Sequence, residues 1–258
     1  MKVFETIADW RKFREALEPG TIGFVPTMGA LHAGHASLLK KSASENAWTV
    51  ASIFVNPTQF NDPKDLENYP RTLEPDLALA ESCGVDFVLS PSSREELYPD
   101  GYRYRVSEND FSNRLCGAHR PGHFEGMLTV VLKLLNLVAP TRAYFGEKDF
   151  QQLALIQGMA KAFFLPIEII GCPTAREADG LAMSSRNTRL APGERELAAR
   201  FPRILSNREL SASQAAEELA RSGFEVDYVE DRDGRRFGAV RLGNVRLIDN
   251  FGNFGASK

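Results

Sequence analysis

The sequence predicts an α/β protein: a parallel sheet covered by helices on both faces, then a smaller α+β C-terminal part. Short, almost unbroken apolar runs at 22–26, 48–55, 85–89, 142–145 and 167–171 have the length and composition of buried strands. Stretches with helical spacing lie between them. After about Pro173 the pattern changes to two helices and several short strands. We therefore divide the chain into 1–174 and 175–258.

The elements follow in order. The strand over 22–26 runs through a Gly-containing turn into a helix that begins near His32 and reaches about Ser44. The second strand, 48–55, leads into Asn56-Pro-Thr-Gln-Phe-Asn-Asp-Pro63, a loop by its Pro and Asn content. Residues 73–82 form a helix stopped by Gly84, and 85–89 the third strand. Apolar residues three and four apart mark a helix over 124–138. The fourth strand, a helix over 150–163 and the fifth strand complete the first part. Helices over 193–205 and 211–222 and strands over 225–230, 237–242 and 245–248 form the second. Asp233-Gly234 and Gly243-Asn244 suit antiparallel hairpin turns. The tail 252–258 is expected to fray.

The chain has 258 residues, 43% hydrophobic and 25% charged, which is ordinary globular composition. Its 31 basic and 34 acidic side chains leave a net charge of −3, which argues against nucleic-acid or acidic-membrane binding. Three widely spaced cysteines without a CxxC pair argue against a secreted disulfide scaffold or a cysteine zinc site. No signal peptide or membrane span is readable, so a cytoplasmic protein is expected.

In parallel sheets ligands bind beyond the carboxyl ends of the strands. The segments there hold the unusual residues. His32 and His35, three apart at a helix start, share one face where free N–H groups and the helix dipole favour phosphate; Gly34 lets a nucleotide approach. Two ordinary helix-start histidines fit the same spacing. Gly146-Glu-Lys-Asp149 follows another strand; Lys148 suits phosphates and Asp149 a ribose hydroxyl or a helix cap, with Gln152 one turn in. Met183-Ser-Ser-Arg186 offers two hydroxyls and a guanidinium to phosphates, or a capped turn. Gln59 suits an acid substrate or a surface turn. Arg120 and His123 fit a substrate contact or a loop brace.

Taken in order, Pro26-Thr-Met-Gly-Ala-Leu-His-Ala-Gly-His35, Ser52-Ile-Phe-Val-Asn-Pro-Thr-Gln-Phe60, Tyr69-Pro-Arg-Thr72, Arg120-Pro-Gly-His-Phe124, Phe145-Gly-Glu-Lys-Asp-Phe-Gln-Gln-Leu153 and Asp179-Gly-Leu-Ala-Met-Ser-Ser-Arg-Asn187 closely resemble the pantoate–β-alanine ligase family. The resemblance is dense over 1–190 and resumes at Arg246-Leu-Ile-Asp-Asn250. It implies a Rossmann-like domain with a HIGH-type motif, a smaller α+β lid domain and a homodimer. It also implies ATP, Mg²⁺, pantoate and β-alanine as ligands. By motif, Met28, Gly29, Ala30, Leu31, His32, Ala33, Gly34 and His35 would contact ATP, with His35 the catalytic proton donor and His32 assisting. Gly146, Glu147, Lys148 and Asp149 would hold the nucleotide, with Lys148 catalytic at its phosphates. Met183, Ser184, Ser185 and Arg186 would close on the triphosphate, Arg186 among the catalytic groups, and Ala175 would touch adenine. Gln59 and Gln152 would bind pantoate. Family members carry a run of acids after Tyr-Pro-Arg-Thr; here it is Leu73-Glu-Pro-Asp76, which points to Asp76 for Mg²⁺. The part after Ser206 looks shortened.

The implied chemistry is ATP-dependent condensation of pantoate with β-alanine through pantoyl adenylate. Two other readings stand beside it: adenylyl transfer to a phosphate-bearing acceptor, and a nucleotide-binding sensor without catalysis.

Overall fold

The computed structural model describes residues 1–252 and 254. The fraying expected for the tail thus falls, apart from Gly252 and Phe254, outside the described residues. Strands β1 (Lys2–Phe4), β2 (Ile22–Thr27), β3 (Trp48–Ile53), β4 (Phe87–Leu89), β5 (Arg142–Gly146) and β6 (Glu168–Cys172) form one sheet in the order β1-β4-β3-β2-β5-β6. Every pairing in it is parallel. The five strands read from the sequence are all present, and β1 adds an edge strand. Helices α1 (Ile7–Ala16), α2 (Ala33–Glu45), α3 (Pro63–Glu67), α4 (Leu73–Ser82), α5 (Arg94–Leu97), α6 (Cys116–His119), α7 (His123–Val138) and α8 (Phe150–Ala162) complete this part.

Alternation along the strands separates two cores. Phe24, Val50, Leu89, Ala143 and Phe145 point to one face, packed with Leu128, Val131 and Leu135 of α7. Their neighbours Val25, Ala51, Val88 and Tyr144 point to the other, against Leu38 and Leu39 of α2 and Ala80 of α4. Burial on both faces is why these strands are almost continuously apolar.

The chain moves outward from β2 through β3 to β4, then returns to build β5 and β6 on the opposite side. Strand order therefore reverses between β2 and β5. A crevice opens at such a reversal, outside the carboxyl ends of the two strands.

Beyond Cys172 come α9 (Pro192–Ala198), α10 (Arg200–Leu205) and α11 (Ala212–Arg221), then a three-stranded antiparallel sheet of β7 (Glu225–Arg232), β8 (Arg235–Leu242) and β9 (Val245–Gly252). They enclose a separate apolar cluster that includes Phe201, Leu205, Leu219, Val240 and Leu247. Both expected two-residue hairpin turns are present, with positive φ at Asp233, Gly234 and Gly243. The single helix expected over 193–205 is instead two. Pro202, which lacks an N–H, stands in the first turn of α10, where no intrahelical donor is required.

Candidate active site at the strand reversal

The loop after β2 is held in an uncommon backbone shape. Gly29 and Ala30 are successive left-handed residues, with φ of 79° and 51°. Asp76 of α4 stabilises it: one carboxylate oxygen accepts the Ala30 N–H at 2.8 Å and the other the Leu31 N–H at 2.7 Å. Thr72 Oγ1 donates to both oxygens at 3.2 Å. Asp76 is 2% exposed. Both oxygens of the residue expected for Mg²⁺ thus accept from the backbone of the 29–31 loop. Among the described residues, no group of three or more His, Cys, Asp or Glu side chains converges as a metal cage.

His32 caps α2 and His35 occupies its third position. The Gly34 N–H donates to His32 Nδ1 at 3.1 Å, and the His32 N–H donates to His35 Nδ1 at 3.3 Å. With each Nδ1 accepting, each neutral ring carries its proton on Nε2. The rings lie 4.1 Å apart. Burial, then the neighbouring His32, pushes His35 down to about 3; burial and Lys148 lower His32. His35 is therefore a neutral N–H hydrogen-bond donor at neutral pH rather than an imidazolium acid. A side chain at Gly34 would stand 2.9 Å from the His32 ring and 3.6 Å from Ala175. That glycine keeps open the gap between the α2 N-terminus and the Ala175 strand exit.

The turn after β5 faces this pair. Lys148 Nζ is 3.5 Å from Asp149 Oδ1. The turn is fixed from behind by β9, where Asn250 Nδ2 donates to the Glu147 and Lys148 carbonyls at 2.9 Å each. Arg176 pairs with the buried Asp249 through two bonds of 2.7 and 3.0 Å, which locks the same strand to the connection after β6. In the loop beyond, Ser184 caps the turn Ser185–Arg189 by accepting the Arg186 N–H at 3.2 Å.

Gln59 is carried on the short turn Pro57–Gln59 and packed against α7. Asn56 orders it: Nδ2 donates to Gln59 Oε1 at 2.9 Å and to the Gly126 carbonyl at 3.2 Å, while Oδ1 accepts from Tyr98 at 2.8 Å. His123 Nδ1 donates to the Gln59 carbonyl at 2.8 Å, which leaves Nε2 to accept from Arg120 at 3.1 Å. Burial and the adjacent Arg120 push His123 down to about 3. Burial, with Arg186 and Arg246 nearby, lowers Arg120 to about 10.

The cleft so formed, about 230 Å³, brings together Met28, His32, Gly34, His35, Gln59, Gly146, Lys148, Asp149, Gln152, Ala175 and 183–186 from the expected set. Gly29, Ala30, Leu31, Ala33 and Glu147 do not line it. Its floor is apolar, from Phe54, Met127, Val130, Val131 and Leu134. Arg120, His123 and Tyr69 also line it. Sequence reasoning left Arg120 and His123 open between a substrate contact and a loop brace, and had Tyr69 only as part of the Tyr-Pro-Arg-Thr motif. Asn56 and Tyr98, which order Gln59, carried no separate signal. Past Lys148, Asp149, Ser184 and Arg186 the cleft continues into a groove of about 940 Å³ between the 61–68 segment and the antiparallel sheet.

Comparison with known proteins agrees with the geometry. The profile of the pantoate-beta-alanine ligase family matches residues 2–252. A pantothenate synthetase of Legionella pneumophila is 55% identical over 252 residues, covering 97% of this chain and 99% of that protein. One from Bdellovibrio bacteriovorus is 58% identical over 241 residues, covering 93% and 94%. The crystal structure of a Francisella tularensis pantoate-beta-alanine ligase, complexed with beta-gamma ATP and beta-alanine, superposes with a TM-score of 0.94 at 43% identity, covering 98% of each chain. A Thermus thermophilus pantothenate synthetase gives 0.90 at 41%, covering 98% of this chain and 100% of that one. The C-terminal part that looked shortened thus has the length found in these relatives.

Proposed function

The chain belongs to the pantoate–β-alanine ligase family, and from that premise we propose that it condenses pantoate with β-alanine at the expense of ATP, through a pantoyl-adenylate intermediate. The observation that carries the reading is the pairing of two opposed surfaces in one cleft. One presents phosphate donors, the other an amide and an apolar floor sized for a small branched acid.

Adenine enters between Gly34 and Ala175, and the phosphates lie between the α2 N-terminus and the Lys148, Ser184, Ser185 and Arg186 side. Gln59 and Gln152 hold pantoate. A pantoate carboxylate oxygen forms a bond to the α-phosphorus; the bond to the bridging oxygen breaks and pyrophosphate leaves with that electron pair. Catalysis here is positioning and charge neutralisation, with no protein nucleophile required. His32 and His35, neutral, donate Nε2–H groups to phosphate oxygens as charge shifts. The β-alanine amine then attacks the acyl carbon, loses a proton, and the C–O bond to AMP breaks. Asn56, Tyr98 and His123 fix Gln59 so that the carboxylate meets phosphorus in line.

The donor set suits Mg²⁺ carried in on the triphosphate, with one or two carboxylates at most, rather than a protein cage. Such an ion would neutralise phosphate charge. The second sheet, fastened to the Lys148 turn, shields the adenylate from water. We also propose a cytoplasmic homodimer, as the resemblance implies. Among the described residues no helix is long and apolar enough to cross a membrane.

The deciding experiment is ATP–pyrophosphate exchange. Pantoate-dependent exchange without β-alanine, and free AMP once β-alanine is added, are expected. No exchange with pantoate in the presence of Mg²⁺ would overturn the proposal, and a stable dinucleotide product would assign adenylyl transfer instead.

A further inference from the structure

Asp65 of α3 bridges two guanidiniums across the mouth of the cleft. Arg186 Nη2 donates to one carboxylate oxygen at 2.8 Å and Arg189 Nη1 to the other at 2.7 Å. The three side chains are 22–24% exposed, so the pairs are only partly screened by water. Burial opposes ionisation of Asp65, but Arg186 and Arg189 outweigh it and hold the carboxyl below its usual range. Asp65 is therefore a fixed anion that satisfies two arginines at once. This is the bidentate arrangement that a phosphate group also makes. Both arginines line the groove that continues from the cleft past Lys148.

A polyphosphate cannot use the same Arg186 N–H that Asp65 occupies, and a carboxylate beside it would repel it. Because one carboxylate holds both guanidiniums, its displacement frees them together. We propose that Asp65 is an internal stand-in for phosphate, and that Arg189 is a second guanidinium ligand for the pyrophosphate end of ATP. The inference rests on the placement of Arg186 at the triphosphate given above. Binding exchanges Asp65 for phosphate oxygens. Departure of pyrophosphate restores the Asp65 bridge, which competes against its rebinding and favours completion of the forward reaction.

Inorganic pyrophosphate is the probe, titrated calorimetrically into the full chain and its variants. Asp65→Asn keeps the shape and removes the competing charge; it should bind pyrophosphate about fivefold more tightly or better. Asp65→Glu should return affinity toward the wild-type value. In the Asp65→Asn background, Arg189→Gln should weaken binding by about fivefold, since Arg189 is then a ligand without a competitor. Equal or weaker binding by Asp65→Asn would show that Asp65 merely positions Arg186, and would overturn the stand-in. Unchanged affinity on adding Arg189→Gln would remove Arg189 from the site. No binding by any of the proteins would overturn both parts. Wild-type ATP–pyrophosphate exchange, run alongside, reports separately on the ligase reading: exchange with unchanged affinities sinks this inference alone.

Discussion

Gly126 offers a test of how the cleft is built. It lies in the first turns of α7, directly beneath the turn that carries Gln59. A methyl group placed there would stand 2.5 Å from the Thr58 carbonyl carbon and 2.7 Å from the Gln59 nitrogen, with the Thr58 oxygen closer still. Ordinary contact begins near 3.4 Å. Within a helix, Gly→Ala by itself favours folding by about 1 kcal/mol. The backbone clash outweighs that gain, so Gly126→Ala should lower the unfolding free energy by about 1–3 kcal/mol while pushing the Gln59 turn away by roughly 1 Å, a misplacement that costs about 10²-fold in rate at a reacting centre. Steady-state kinetics should show kcat/KM for pantoate reduced by about that factor, with the Kd for ATP within about twofold, since the phosphate side is untouched. Wild-type kcat/KM for pantoate would refute the packing argument. An equal loss of ATP affinity would show that the turn supports the whole cleft rather than its acid side.

Two further outcomes follow from charged or titratable groups. His123 is 7% exposed and has a pKa near 3, against 6.5 when solvated, so below pH 6.5 the unfolded chain binds the proton and the folded chain does not. Stability thus falls as pH falls, by about 1.6 kcal/mol between about pH 6.5 and about pH 5 from this group alone; urea unfolding at both pH values should show His123→Gln losing less stability by that amount, and an identical pH dependence would contradict it. Asp76→Asn deprives the Ala30 and Leu31 N–H groups of a charged acceptor, so unfolding free energy should drop by about 2 kcal/mol and KM for ATP should rise, with the Mg²⁺ concentration dependence unchanged. A shifted Mg²⁺ dependence would return Asp76 to the metal.

Much of this was legible because the strands that build the site are buried on both faces and read as plain apolar runs. The order of motifs at their carboxyl ends then marked the cleft. What escaped had weak local signals. β1 has only three residues, and α1 buries Trp10 alone among its ten. The bonds from Ala30 and Leu31 to Asp76 were not legible, because an acid near such a motif looks the same whether it meets a metal or a backbone amide. Only the left-handed loop it satisfies tells the two apart. The resemblance assigned His35 as the proton donor, and the spacing of the two histidines shows the ring but not the burial that keeps it neutral. Arg120 and His123 fitted either a substrate contact or a loop brace, and they do brace: both hold Gln59 by its carbonyl.

The Asn250 bonds to Glu147 and Lys148 have a consequence for how the chain matures. A nascent polypeptide emerges from its amino end, and its first domain can fold before the last is made. Here the parallel sheet can assemble with the Glu147 and Lys148 carbonyls still waiting for a partner 103 and 102 residues further on. Lys148 is set only when β9 docks. Premature termination even a few residues before Asn250 would leave a chain with every proposed phosphate ligand present and the turn that carries Lys148 unfastened.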